Sequence, residues 1–420
     1  MAKKLWRGGG GAVDQVVDFV FGGTWEADDL VRVLVGNKSH DFEAGSSSAA
    51  TIVLNLAAGW SGGGAEFGDI TPTANGSTLT LSSAESGVPF TVSMTPLERD
   101  GSASGGQQIN GGTSTTSGTT VRSSKSPNDW NTASNWADGS VPAGGDEVDL
   151  GDSEFPIWYG LDQSAVSFSL VRCGSTSVGL PEINEAGYVE YRARSLVLQG
   201  CPLHLGAGSS STAPSPGPSF FSVRFTSQSG QVRVLTTQGA LEGSEAVRVQ
   251  GQVGTLDLIQ GSVAGGLRDI ESASFGLVNV GTPDGASASF RGGLYCTVDA
   301  VVKHSGSLTV ENPDAMTLTN RGGDATLLGE GTVAMVEVSA GTVNYNCAGM
   351  LTGAVVSGTG LLTFDGDPRP KSLGGAIDVY GQQANVSDMR KVVSGFAIDF
   401  NHVTVTGFGT HVRLTRGLPA

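Results

Sequence analysis

The chain has 420 residues, with 24 Lys and Arg against 40 Asp and Glu, a formal charge of −16 at pH 7. Repulsion from phosphate at that charge excludes the surface as a whole as a nucleic-acid partner. With 64 Gly and 38% hydrophobic residues, the composition suits tight turns around a buried core, so wholesale disorder is excluded as well.

The first residues imitate a secretion signal and then depart from one. Lys3, Lys4 and Arg7 are followed by Gly8 to Gly11, and Asp14, Gln15 and Asp18 break the apolar stretch from Ala12 to Phe21. No continuous apolar region follows the basic start. Nor does any segment approach the roughly 20 apolar residues that span a bilayer. The expectation is folding in the cytoplasm of the cell that makes the chain, without membrane insertion.

A small α+β module is predicted over residues 1–100. Val16 to Phe21 and Leu30 to Val35 alternate like strands, and Gly36-Asn37 can turn the second into Ser39 to Glu43. Ser46 to Ser48 can cap a short helix that puts Ala49, Ile52, Val53, Leu56 and Trp60 on one face, with Gly59 or Gly62 to end it. Strands are expected again at Phe67 to Thr71, Thr78 to Leu81 and Pro89 to Met94, with a turn at Asn75-Gly76. Residues 101–127 are Gly, Ser and Thr rich and read as a linker, flexible or lying extended over a neighbour, because few apolar side chains offset its ordering entropy.

From 128 to 420 short apolar runs recur between Gly, Ser, Asn and Asp, for example Val232 to Leu235, Leu256 to Ile259, Leu277 to Val280, Met335 to Val338 and Leu361 to Phe364. Runs of this length predict strands, and their density predicts a right-handed parallel β-solenoid. A β-sandwich or jelly roll fits short strands and turns too. Ala213 to Pro218 and Gly366 to Lys371 are expected to leave the coils as loops. The most specific local pattern opens this region: Trp130, Asn135 and Trp136, then Pro142 and a Gly145-Asp146 turn. A first coil exposes an apolar end, and Trp130, Asn135, Trp136, Pro142 and Asp146 are the predicted structural cap over it. An exposed sugar platform is the functional alternative for the two tryptophans.

Catalytic chemistry has one candidate, Asp365, Asp367 and Arg369, which would share one face of an extended strand. Gly366, Pro368 and Pro370 interrupt it, which predicts a solvated turn. Asp146, Glu147, Asp149 and Asp152 are carboxylates of the kind calcium takes, without a loop of fixed ligand spacing. Cys173, Cys201, Cys296 and Cys347 show no metal-binding spacing and read as reduced, partly buried thiols, with a pair across coils as the alternative. His40, His204, His304, His402 and His411 are dispersed. No catalytic, cofactor or metal residue is therefore assigned.

The string WNTASNWADGSVPAGGDEVDL resembles the opening motif of bacterial and phage β-helix proteins, including autotransporter-associated ones. TWEADDLVRVLVG and GSTLTLSSAESGVPFTVSM are similar to small modules at the front of phage structural proteins. Against autotransporters, the expectation is that neither the start, with its interrupted apolar stretch, acts as a signal peptide nor GFGTHVRLTRGLPA forms a membrane barrel. The resemblance implies a non-enzymatic virion structural protein, assembled in the host cytoplasm, bound to capsid or tail proteins through its first module and projecting a fibre, spike or decoration. It also implies a homotrimer, with a host surface glycan as a further partner. A β-helix polysaccharide lyase or hydrolase and a bacterial surface adhesin are the alternatives.

Overall fold

A computed structural model describes residues 2–36, 38–99, 107–109, 115–179, 195–206, 221–235, 246–285, 288–375, 377–380, 383–388, 403–405 and 413–416. Most of them are strands. The chain is mainly β, and its dominant feature is a sheet of 26 strands. Among the described residues its strands pair in parallel, for example Phe275 with Val298 and Leu318 with Val336. The antiparallel sandwich or jelly roll therefore does not describe this region.

Successive strands do not simply lie side by side. The chain alternates between two ladders, so that Cys296–Lys303 pairs with Met316–Asn320 while Ala288–Gly292 and Ser307–Val310 pair in the other ladder. Val247–Leu258 is long enough to join both: Val247 pairs with Val263 in one, Val253 with Phe275 in the other. Cross-strand side-chain bonds from Ser307 to Ser289 and from Thr319 to Glu337 each span 18 residues, the advance from one rung to the next in this stretch.

Alternation along each strand explains the stacking. Val232, Leu256, Val278, Val301, Leu318, Val336 and Ala354 follow one another in register, and all are buried. β-Branched and aliphatic side chains of similar size fill such a column without voids, and each rung covers the apolar face of the last. Corners bring backbones close together. At Gly341, with φ +73°, a Cβ would lie 2.2 Å from Gly323 O, so only glycine fits.

The small module is built differently. Its strands form two antiparallel sheets of four: Ile70–Asn75, Thr78–Ser83, Val16–Gly22 and Thr115–Arg122 in one, Lys38–Glu43, Leu30–Val35, Val92–Arg99 and Gln107–Ile109 in the other. One helix, α1 (Ala49–Gly59), buries Ile52, Val53 and Leu56. It ends at Gly59, and Ser48 occupies its N-cap position without a side-chain cap bond. The core joins Phe19, Phe21, Trp25, Val31, Val33, Trp60, Phe67 and Leu79.

Several segments differ from the sequence expectation, among them the strand expected at Pro89 to Met94, which lies at Val92–Arg99. Phe67 lies in a 3-10 turn, Ala65–Asp69, and the strand follows it at Ile70–Asn75. Within the expected linker, Gln107–Ile109 pairs antiparallel with Val92–Arg99, and Thr115–Arg122 is a strand paired antiparallel with Val16–Gly22. Its Thr-rich sequence contributes backbone bonds to an open sheet edge, which apolar patterning does not reveal. Lys3–Leu5, at the front of the expected module, instead pairs in parallel with Glu147–Asp149 in the long sheet.

Candidate functional site

Of the predicted cap residues, Trp130, Asn135 and Trp136 pack together, and the first residues of the chain join them. Trp130 and Trp136 meet edge to face with centroids 5.0 Å apart, and Trp6 meets Trp136 the same way at 5.3 Å. Phe168 extends the cluster from Trp130 at 6.0 Å. Both sequence-predicted tryptophans are buried, at 0% and 2% exposure, so neither offers a face to a sugar. Trp136 Nε1 donates to Trp130 O at 2.8 Å, and Trp6 Nε1 to Phe155 O at 3.0 Å.

Asn135 is the polar centre of this arrangement. The 3-10 turn Ala133–Asn135 turns its side chain inward. Nδ2 donates to Ser126 O at 2.7 Å and Asp129 O at 2.8 Å, while Oδ1 accepts from Gly10 N at 2.6 Å. Its backbone carbonyl accepts from Arg7 N and Gly8 N. A fully buried amide satisfied from three segments fixes their mutual position, and loss of any partner would leave a buried polar group unpaired. Pro142 is buried beside the turn. Asp146 accepts from Ala2 N and Ala143 N, both at 3.1 Å, and those N–H groups, Ala143's first, hold its carboxyl below the usual carboxylate range.

The basic start is structural. Lys4 points inward from the first strand and donates to Asp138 at 2.5 Å and Ser140 Oγ at 2.6 Å. Lys3 pairs with Asp149 at 2.9 Å. Sequence reasoning missed Trp6 and Lys4 because a strand of three residues is too short for alternation to show. The one available signal was a lone tryptophan between charged residues and a glycine run.

The acidic residues after the cap do not assemble as a calcium site. Glu147 accepts from Arg172 at 2.9 Å, Asp149 pairs with Lys3, and Asp152 accepts from Ser175 N and Oγ. Among the described residues, the acidic side chains that converge closely enough to hold a cation are Glu26, Asp28 and Asp29. Asp29 already accepts from Glu26 N at 2.9 Å, and the other two are exposed, the ordinary state of an acidic turn.

Asp365, Asp367 and Arg369 are neighbours with divided partners. Asp365 accepts from Thr363 and Ser387 hydroxyls. Asp367 is not solvated as the turn sequence predicted: it is 9% exposed and accepts from Arg369 Nε at 2.8 Å and from the fully buried Lys371 Nζ at 2.6 Å. Burial alone would raise its carboxyl, but the bonds from Arg369 and Lys371 outweigh that and hold it well below the usual range. A carboxylate kept ionised by two cations cannot act as a general acid near neutral pH. Lys371 carried no sequence signal, since only the fold turns it inward.

All four cysteines are buried free thiols. Desolvation pushes Cys201 up to about 11 and Cys296 and Cys347 to about 12, and drives Cys173 in the same direction, so none resembles an activated nucleophile. His40 packs against Phe42, and burial first, then Arg172 and Arg233, lowers His204. His402 and His411 lie outside the described residues, as do Ala213 to Pro218. No helix is long and apolar enough to cross a membrane among the described residues. Comparison of the chain with protein-family models, with curated proteins and with solved structures finds no match.

Proposed function

We propose that the 26-stranded parallel sheet is a right-handed β-solenoid and that the chain is a non-enzymatic structural protein of a bacteriophage or phage-like particle. The small module attaches to capsid or tail proteins, and the solenoid projects as a fibre, spike or decoration. One observation carries this reading: two parallel ladders with buried apolar columns run through the region while the candidate catalytic carboxylates are engaged by cations and hydroxyls. Such a body would transmit position and force along its axis. A homotrimer and a host surface glycan complete the proposal as partners.

Imaging of particles assembled with and without the chain tests it. A projection or surface density that disappears with the chain is the expected result. Particles unchanged in composition and outline would overturn the virion reading. Cleavage of a polysaccharide that disappears in Asp365→Asn or Asp367→Asn would replace it with the lyase or hydrolase reading.

A further inference from the structure

One inward position of the long sheet is not apolar. Lys303 ends the strand Cys296–Lys303 and is 0% exposed. In register it follows Val280 and precedes Asn320, which precedes Val338, so apolar side chains lie on both sides of the pair. Lys303 Nζ is 3.1 Å from Asn320 Oδ1 and also donates to Gly322 O. Gly323, with φ +67°, leaves the space: a Cβ there would approach Nζ to 2.8 Å. No ion pair neutralises the amine among the described residues. Burial pushes it down to about 8, with Asp324 acting in the opposite direction, so a free amine becomes accessible near pH 8.

We propose that Lys303 and Asn320 become joined by an intramolecular amide that staples two successive rungs. The amine lone pair attacks Asn320 Cγ, the Nζ–Cγ bond forms and the Cγ–Nδ2 bond breaks. One amine proton passes to Nδ2, which leaves as ammonia. Neither an oxidant nor a cofactor is required. A carbonyl bond is about 1.2 Å, so Cγ lies within roughly 4.3 Å of Nζ, about 1 Å from a near-attack separation. The Asn320 amide is held in place, with Nδ2 donating to Ala340 O at 3.0 Å. The dry site also disfavours hydrolysis of the product. The closed loop spans 17 residues and would restrict the unfolded chain as a disulfide does, in a region whose thiols are unpaired. This inference does not depend on the virion reading.

The intact mass of the purified full-length chain tests it. The expected mass is below that of the sequence by one ammonia, about 17 Da. Trypsin should fail to cut after Lys303 and release a peptide spanning 292–321 that is lighter by the same amount. Lys303→Met and Asn320→Ala should each restore the sequence mass. A wild-type chain of full mass that is cleaved after Lys303 overturns the proposal, whether or not the variants fold. An ammonia loss that persists in Lys303→Met overturns it as well, because the loss then does not involve the Lys303 amine.

Discussion

The small module and the long sheet use the same alternation of apolar and polar residues to opposite ends. In the module, antiparallel strands and α1 close around one core, with Trp25, Trp60 and Phe67 filling its middle. Its hairpins are local, so Leu30 and Glu43 pair through a short turn. In the long sheet the buried residues pair in register with strands on both sides, and among the described residues the end strand Lys3–Leu5 has a partner, Glu147–Asp149, on one side only. The difference teaches where each region is vulnerable. The module depends on its centre, the sheet on its end and its corners.

Trp130→Ala should produce the largest effect. Removing a fully buried indole from the end cluster should cost about 4 kcal/mol, read as a lowered denaturation midpoint for the long sheet. The module's own transition should move less. A loss below about 1 kcal/mol would mean that the end of the sheet does not need its aromatic cover.

Lys371→Ala leaves Asp367 buried without its closest cation and should cost about 3 kcal/mol. The pH dependence sharpens this. The folded carboxyl of Asp367 is depressed, so its contribution to stability is full above the unfolded value of about 4 and fades as pH falls below it toward the folded value. Acid titration of wild type and Asp367→Asn should therefore converge at low pH and separate above it. Parallel curves would show that the pair does not set acid stability.

Glycine substitution compares the regions directly. Gly341 and Gly76 both have positive φ, +73° and +58°, but a Cβ at Gly341 collides with a backbone carbonyl whereas one at Gly76 meets nothing within 4 Å. Gly341→Ala should cost about 3 kcal/mol and Gly76→Ala about 1 kcal/mol by equilibrium unfolding. Equal losses would remove close rung packing as the reason for glycine at the corners. The gentlest test is chemical. Native protein at pH 8 should leave its four thiols unreacted with a disulfide reagent, because burial raises all of them, and all should react once the chain is unfolded.

Much of this was legible in the chain. Val16 to Phe21, Leu30 to Val35 and the face of α1 declared themselves through local periodicity, as did the short apolar runs of the long sheet. Trp130, Asn135 and Trp136 stood out by composition, and the fold buries all three together. What sequence reasoning could not supply was long-range. Lys3–Leu5 pairs with residues far along the chain, Trp6 completes the aromatic end, and Thr115–Arg122 closes a sheet begun at Val16. Asp367 looked solvated because its neighbours are turn formers, yet a buried lysine four residues on holds it.

The sequence by itself determined which residues alternate, where the chain must turn and which side chains are too apolar for water. Those are properties of a few adjacent residues. Only the tertiary structure decided that the strands run parallel in two ladders, that the basic start is bound to Asp138 and Asp149, and that Lys303 faces Asn320. Parallel pairing joins segments with no local connection. Its register follows from the collective fit of whole columns, and that fit exists only once the rungs are stacked.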